Sequence, residues 1–198
     1  MMIPRRLLLL LAAGGLIFGL VIFREYQLAE WRETAPPVRA APRRLAPRFE
    51  VTDHHRHFVK FERFLGRQRV VLLFFDAERG AASDPSVQAL ADNFDVLKRA
   101  GIEVVAISDN TPYANQQEEK KWGREFPFPL LTDVTRNGGI SPVHHLYGLY
   151  DSRHRKAQNG LFLVARDGTV PVGPGGKPLP VADIEATIRQ LCAGEWPR

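Results

Sequence analysis

A single cysteine, Cys192, stands among 198 residues. One thiol excludes an intrachain disulfide, a CxxC redox pair and a cysteine-rich zinc site, and a chain without disulfides does not report its redox compartment. Excess charge is also absent from most of the sequence. The net charge of +5 resides in residues 1–48, which hold eight Arg and three Glu, whereas nineteen basic residues balance nineteen acidic ones from Phe49 onward. An electrically balanced folded part gives no basis for nucleic-acid binding. No G-x-S-x-G occurs, so no nucleophile elbow is encoded. What is present is an apolar content of 44%, which excludes disorder throughout.

The longest uncharged run is Leu7 to Phe23, preceded by Arg5 and Arg6. As a helix it would span about 26 Å, short but sufficient for a bilayer core. A cleaved signal peptide shares the basic start and the apolar stretch, but Arg24-Glu25-Tyr26-Gln27 follows where small residues would be needed, so an uncleaved signal anchor is expected. Tyr26 and Trp31 suit the interface as aromatic anchors. Arg5 and Arg6 compete with Arg24, Arg32 and Arg39 in setting orientation; long domains translocate despite such charges, and the expected arrangement has the N-terminus inside and the domain outside the cytoplasm. Residues 1–6 are thus a basic N-terminus, 7–23 a transmembrane anchor and 24–48 a linker rich in Pro, Ala and Arg. Within that linker TAPPVRAAPRRLAPR (34–48) contains four prolines and reads as an extended tether.

The remaining 150 residues, 49–198, can bury roughly two thirds of their unfolded surface, enough for one domain. VVLLFF (70–75), IEVVAI (102–107) and LFLVA (161–165) are apolar on consecutive positions, as strands covered on both faces are. Between the first two, Val87, Leu90, Ala91, Phe94 and Leu97 fall on one helical face over Ser86 to Ala100. Tyr113 to Arg124 reads as a polar helix with Thr111 as N-cap and Pro112 at its first position, its charged face exposed. FPFPLLTD (126–133) allows only a short extended segment. Asp167-Gly168 predicts a hairpin joining LFLVA to Val170–Val172, and Ile184, Ile188 and Leu191 mark an amphipathic helix over Val181 to Cys192. The order is β, α, β, α, β, β, α, that of an α/β domain with a mixed sheet flanked by helices.

Taken in order, FEVTD, FERFLGRQRVVLLFF, AGIEVVAISDNTP, FPFPLLTD, HHLYGLYD and GLFLVARDGTV resemble the alkyl hydroperoxide reductase and thiol-specific antioxidant branch of the peroxiredoxins, over nearly all of residues 49–191. The resemblance implies a thioredoxin-like fold. It also implies a site after the first long strand: a proline, a threonine or serine four residues on, and a peroxide-attacking cysteine three further at a helix N-terminus, where free N–H groups and the dipole favour a thiolate. A later arginine and the hydroxyl would hold and polarise the peroxide.

Laid on this chain, the pattern puts Asp76 at the proline, Gly80 at the threonine, Ser83 at the cysteine and Asn159 at the arginine. Serine has no counterpart of the sulfenic acid and disulfide steps, so a degenerate site without cysteine-based peroxidase activity is expected. The bland role for Ser83 or Asp84 is helix N-cap, with Pro85 in the first turn. Cys192, at the edge of its helix face, reads as a partly buried bystander; the alternatives are a thiol-dependent antioxidant oxidoreductase using Cys192 or a partner's thiol, and a disulfide between two copies of the chain. His54, His55, His57, His144, His145 and His154 raise a metal-carrier reading, but their spacing matches no recognised ligand set, so neither metal nor cofactor is expected. The partners expected are a membrane through residues 7–23 and a binding partner or second copy.

Overall fold

The computed structural model describes residues 41–134 and 141–197. The expected anchor, residues 7–23, lies outside the described residues; among those described, no helix is long and apolar enough to cross a membrane.

Six strands form the central sheet: β2 (Glu50–Asp53), β3 (Phe58–Lys60), β4 (Arg69–Phe74), β5 (Ile102–Ser108), β6 (Leu130–Thr132) and β9 (Gly160–Val164). Their order is β3-β2-β6-β5-β4-β9. β4 pairs in parallel with β5 and β5 with β6, while β9, β2 and β3 join antiparallel at the two margins. The unbroken apolar run of β4 follows from this placement. Val71, Leu73 and Phe75 enter one core with Val87, Leu90, Leu97, Ile188 and Leu191. Val70, Leu72 and Phe74 enter a second with Phe49, Phe61, Val143, Tyr147 and Phe162. Alternate side chains of a strand face opposite ways, so both faces of the sheet are covered.

Five α-helices are described: α1 (Pro85–Asp92), α2 (Phe94–Arg99), α3 (Pro112–Trp122), α4 (Pro142–Leu146) and α5 (Ile184–Cys192). The single helix expected over Ser86 to Ala100 is two. Asn93 separates them, its side-chain amide donating to the Ala89 carbonyl at 2.9 Å, the local competition that lets Asn interrupt a helix. Thr111 caps α3 by accepting from the Ala114 N–H, and Gly123, at φ 73°, ends it in the left-handed conformation that glycine permits. The polar face of α3 is less exposed than its composition predicts: Asn115 and Glu118 are buried.

The tether expected to run to Arg48 ends earlier. Arg43–Leu45 forms β1, antiparallel to β10 (Thr169–Pro171). Arg43 donates from Nε to the Thr169 hydroxyl and from Nη2 to the Thr169 carbonyl, both at 2.9 Å. The Ala46 N–H donates to the Gly168 carbonyl, and the buried Tyr147 hydroxyl to that of Pro47. A composition suited to an extended chain is thus also suited to an edge strand, with arginine supplying the grip. The folded unit begins at Ala41.

The Asp-Gly turn forms as expected, with Gly168 at φ 79° and the Ala165 N–H donating to the Thr169 carbonyl at 2.8 Å. Its second arm, however, pairs with β1 and not in a ladder with β9. A two-residue-wide hairpin, β7 (Tyr150–Asp151) and β8 (Lys156–Ala157), precedes β9.

Candidate functional site

Because β4, β5 and β6 are parallel, their carboxyl ends lie along one edge of the sheet, the usual ligand-binding edge of open α/β sheets. Asp76, Asp109 and Asp133 follow those three ends. Asp76 starts the junction with helix α1 by accepting the Glu78 N–H at 2.9 Å. The chain then folds back twice on Gly80: its N–H donates to the Asp76 carbonyl, and its own carbonyl accepts from Ser83 and Asp84. Asp84 is the N-cap of α1, accepting from Ser86 and Val87 at 2.9 and 3.1 Å, with Pro85 at the first helical position. A capping carboxylate at a helix N-terminus is favourable both as acceptor and as charge. Ser83, one residue earlier, is exposed.

The four positions marked by the resemblance do not stay together. Asp76 and Asn159 meet on the wall of a cavity of about 180 Å³ that is also lined by Glu78, Asp109, His144, Arg155 and Lys156. Gly80 and Ser83 are not part of that wall. Gly80 instead packs on Glu118 of α3, so closely that a Cβ built on it would lie 2.3 Å from Glu118 Oε2. Glu118 is buried, accepts the Ala82 N–H at 3.3 Å and is paired with Lys121. A carboxylate therefore takes up a junction N–H and fills the space beside the threonine position. No sequence signal pointed to this contact, because Glu118 lies on a helix whose composition reads as solvated.

Cys192 sits elsewhere. Its thiol donates to the Ala89 carbonyl at 3.6 Å, and it packs with the first core, on the face of the sheet opposite His144 and Tyr147. Burial pushes the thiol pKa up, away from the thiolate that a nucleophile requires.

The strongest polar arrangement at the cavity is a pair that sequence reading missed. Asp133 and His144 are each 1% exposed, with His144 Nδ1 2.7 Å from Asp133 Oδ2. Asp133 also accepts the N–H groups of Val143 and His144 at 3.1 and 2.8 Å, and Phe74 meets the imidazole edge-on. The carboxylate thus gathers two backbone donors of one short helix and orients the His144 ring with Nδ1–H inward. Beyond the cavity, Asp151 anchors the β7–β8 hairpin. It pairs with His154 Nδ1 and accepts from the His154 and Arg153 backbone N–H groups, and these hydrogen bonds, the His154 side chain's first, hold its carboxyl below the ordinary range.

The fold also gathers His54, His55 and Glu119. Their ligand atoms lie within 4.8 Å of one another. The donor chemistry does not suit a metal at His54. Its Nδ1 accepts the Leu130 N–H at 3.4 Å, so its Nε2 carries the proton and donates to Glu119 at 2.6 Å. A ligating histidine uses its rings the other way round, donating from the nitrogen that faces away from the metal.

Comparison with known proteins bears on this geometry. The AhpC/TSA family profile matches residues 42–172. The selenocysteine-containing peroxiredoxin PrxU of Peptoclostridium acidaminophilum is 30% identical over 157 residues, covering 75% of this chain and 74% of that protein. Alkyl hydroperoxide reductase E of Mycobacterium tuberculosis is 26% identical over 150 residues, covering 75% and 94%. Among solved structures, the peroxidoxin BcpB of Mycobacterium tuberculosis superposes with a TM-score of 0.55 at 19% identity, covering 78% of this chain and 96% of that one. The last comparison speaks to the thioredoxin-like fold alone; the profile match, spanning β1 to the residue after β10, shows that the chain belongs to the AhpC/TSA family.

Proposed function

We propose that this AhpC/TSA-family chain is a membrane-anchored binding domain that has lost cysteine-based peroxide reduction, with Ser83 at the family's peroxidatic position. The observation that carries this reading is the junction between β4 and α1. Its acidic N-cap is Asp84, one of its N–H groups is taken by Glu118, and its serine is exposed. Peroxidase chemistry needs a thiolate with free donors around it, and a carboxylate in that place opposes both. Residues 7–23 serve as the anchor and the linker beyond them as a spacer, with the domain outside the cytoplasm.

The second reading is a thiol-dependent antioxidant oxidoreductase using Cys192 or a partner's thiol, in keeping with the peroxiredoxin names of the relatives. Against it stand the raised pKa of that thiol and its place on the far face of the sheet. The test is consumption of hydrogen peroxide by the full-length chain in detergent with dithiothreitol as reductant. The expected rate equals that of buffer and is unchanged by Cys192→Ser. Turnover that disappears with Cys192→Ser would establish the second reading.

A further inference from the structure

The central sheet ends on one side at β3, a strand with a neighbour on its inner side only. Its register on β2 fixes what the outer side offers. The Asp53 N–H donates to the His57 carbonyl and the Phe61 N–H to the Phe49 carbonyl, each at 3.0 Å, and Val51 faces Val59 between them. In an antiparallel pair hydrogen-bonded and non-hydrogen-bonded positions alternate, so Val59 bonds inward while the N–H and C=O groups of Phe58 and Lys60 point away from the sheet. Neither residue has a backbone partner on that side among the described residues, and Phe58 is 69% exposed. An open edge of this kind is a template for another chain. Beside Val59 lies a cavity of about 500 Å³ at the amino ends of the parallel strands, opposite the edge that carries Asp76. Val59, Phe64 and Pro129 give it an apolar lining, and Arg63, Arg67 and Gln68 enter it from the segment after β3; against the two cations the lining sets Glu103. Neither arginine has an ion-pair partner among the described residues, whereas Lys60 is already paired with Glu50 at 2.8 Å.

We propose that β3 docks an extended peptide segment of a partner protein as a seventh strand, with an acidic side chain of that segment seated at the mouth of this cavity. A strand laid on the outer edge bonds with Phe58 and Lys60. Its residue opposite Val59 then falls in a non-hydrogen-bonded pair, with its side chain on the Val59 face and the two Cβ atoms about 5 Å apart. That side chain meets the cavity that Arg63 and Arg67 line, and arginine grips a carboxylate bidentately. Main-chain bonds along the edge supply affinity, and the side chain in the cavity supplies choice. The same edge of a second copy would bring the same cations, Arg56 and Lys60, against these, whereas an acidic segment complements them. The proposal rests on reading the chain as a binding domain, and it gives that domain the chemistry of its partner.

The experiment is fluorescence polarisation of two labelled peptides, Thr-Val-Thr-Glu-Thr-Val-Thr and the same peptide with Lys in place of Glu, titrated with the full-length chain in detergent. Saturable binding of the acidic peptide, at least about tenfold tighter than that of its lysine counterpart, is expected. Arg63→Gln and Arg67→Gln, both at exposed positions, should each weaken it about fivefold. Methylating one alternate set of the peptide's amide nitrogens should abolish binding while the other set is tolerated, because an added strand bonds through one side only. Absence of saturable binding, equal affinity for the two peptides, or indifference to the arginine substitutions or to both sets of methyl groups would overturn the proposal. So would self-association that Phe58→Asp removes while neither peptide binds, which would assign the edge to a second copy. Peroxide consumption is read separately: turnover alongside peptide binding would sink only the non-peroxidase reading, and silence in both assays only the peptide edge.

Discussion

Replacing Asp133 with Asn is expected to destabilise the domain by about 3 kcal/mol or more, since each buried donor left opposed or unpaired costs about 1–3 kcal/mol. The carboxylate receives three donors from one short helix, the Val143 and His144 backbones and the His144 ring. An amide supplies one oxygen and turns its own N–H groups toward the remaining donors, which leaves buried polar groups opposed and unpaired. The carboxylate is therefore the element that docks α4 onto the end of β6. In a chain of this length the melting midpoint should fall by about 10 °C or more. His144→Phe should cost less, since Asp133 keeps both backbone donors and the new ring keeps its contact with Phe74. Thermal melts of the two variants measure the difference; equal costs would show that the carboxylate has no special position in the pair.

The second large effect is expected at Gly80. Gly80→Thr puts a threonine where the family resemblance expects one, and it should destabilise by about 4 kcal/mol. Two causes add. The backbone φ of +78° is one that β-branched residues avoid, and the new Cβ would collide with the Glu118 carboxylate, 2.3 Å away, with overpacking of this kind costing about 1–3 kcal/mol. The second part is separable. In a cycle of Gly80→Ala, Glu118→Ala and the double variant, the coupling should be favourable by about 1–3 kcal/mol, because removing Glu118 frees the space while the backbone strain stays. Denaturant melts that show additivity would place the cost in the backbone alone. The pairing of a glycine with an intruding carboxylate means that fitting a larger side chain at position 80 takes more than one substitution.

How far this architecture is legible in the sequence depends on how local the cause is. The strand at 70–75 could be read because burial on both faces leaves no polar position in it. The start of α1 could be read because Asp84 and Pro85 carry out their roles within three residues. The pair of Asp133 and His144 could not, although a Ser-Pro step marks the start of α4, because the capping carboxylate comes from another element eleven positions away. Glu118 was hidden for the same reason: on a helix of Gln, Glu and Lys, nothing in the spacing says which carboxylate turns inward. The edge strand β1 was hidden by composition, since proline and arginine signal an extended chain whether or not a neighbour pairs with it. Of the site positions taken from the resemblance, Asp76 and Asn159 reach the cavity, next to the ends of β4 and β9, while Gly80 is buried against Glu118 and Ser83 is exposed.

The central claim is that no sulfur in this chain performs peroxide chemistry. Intact-mass spectrometry of the full-length protein, treated with one equivalent of hydrogen peroxide in the presence of a cyclic diketone that captures sulfenic acid, tests it directly. The account predicts an unmodified Cys192 over the time in which a reactive thiolate would be trapped; rapid, stoichiometric capture at Cys192 would contradict it.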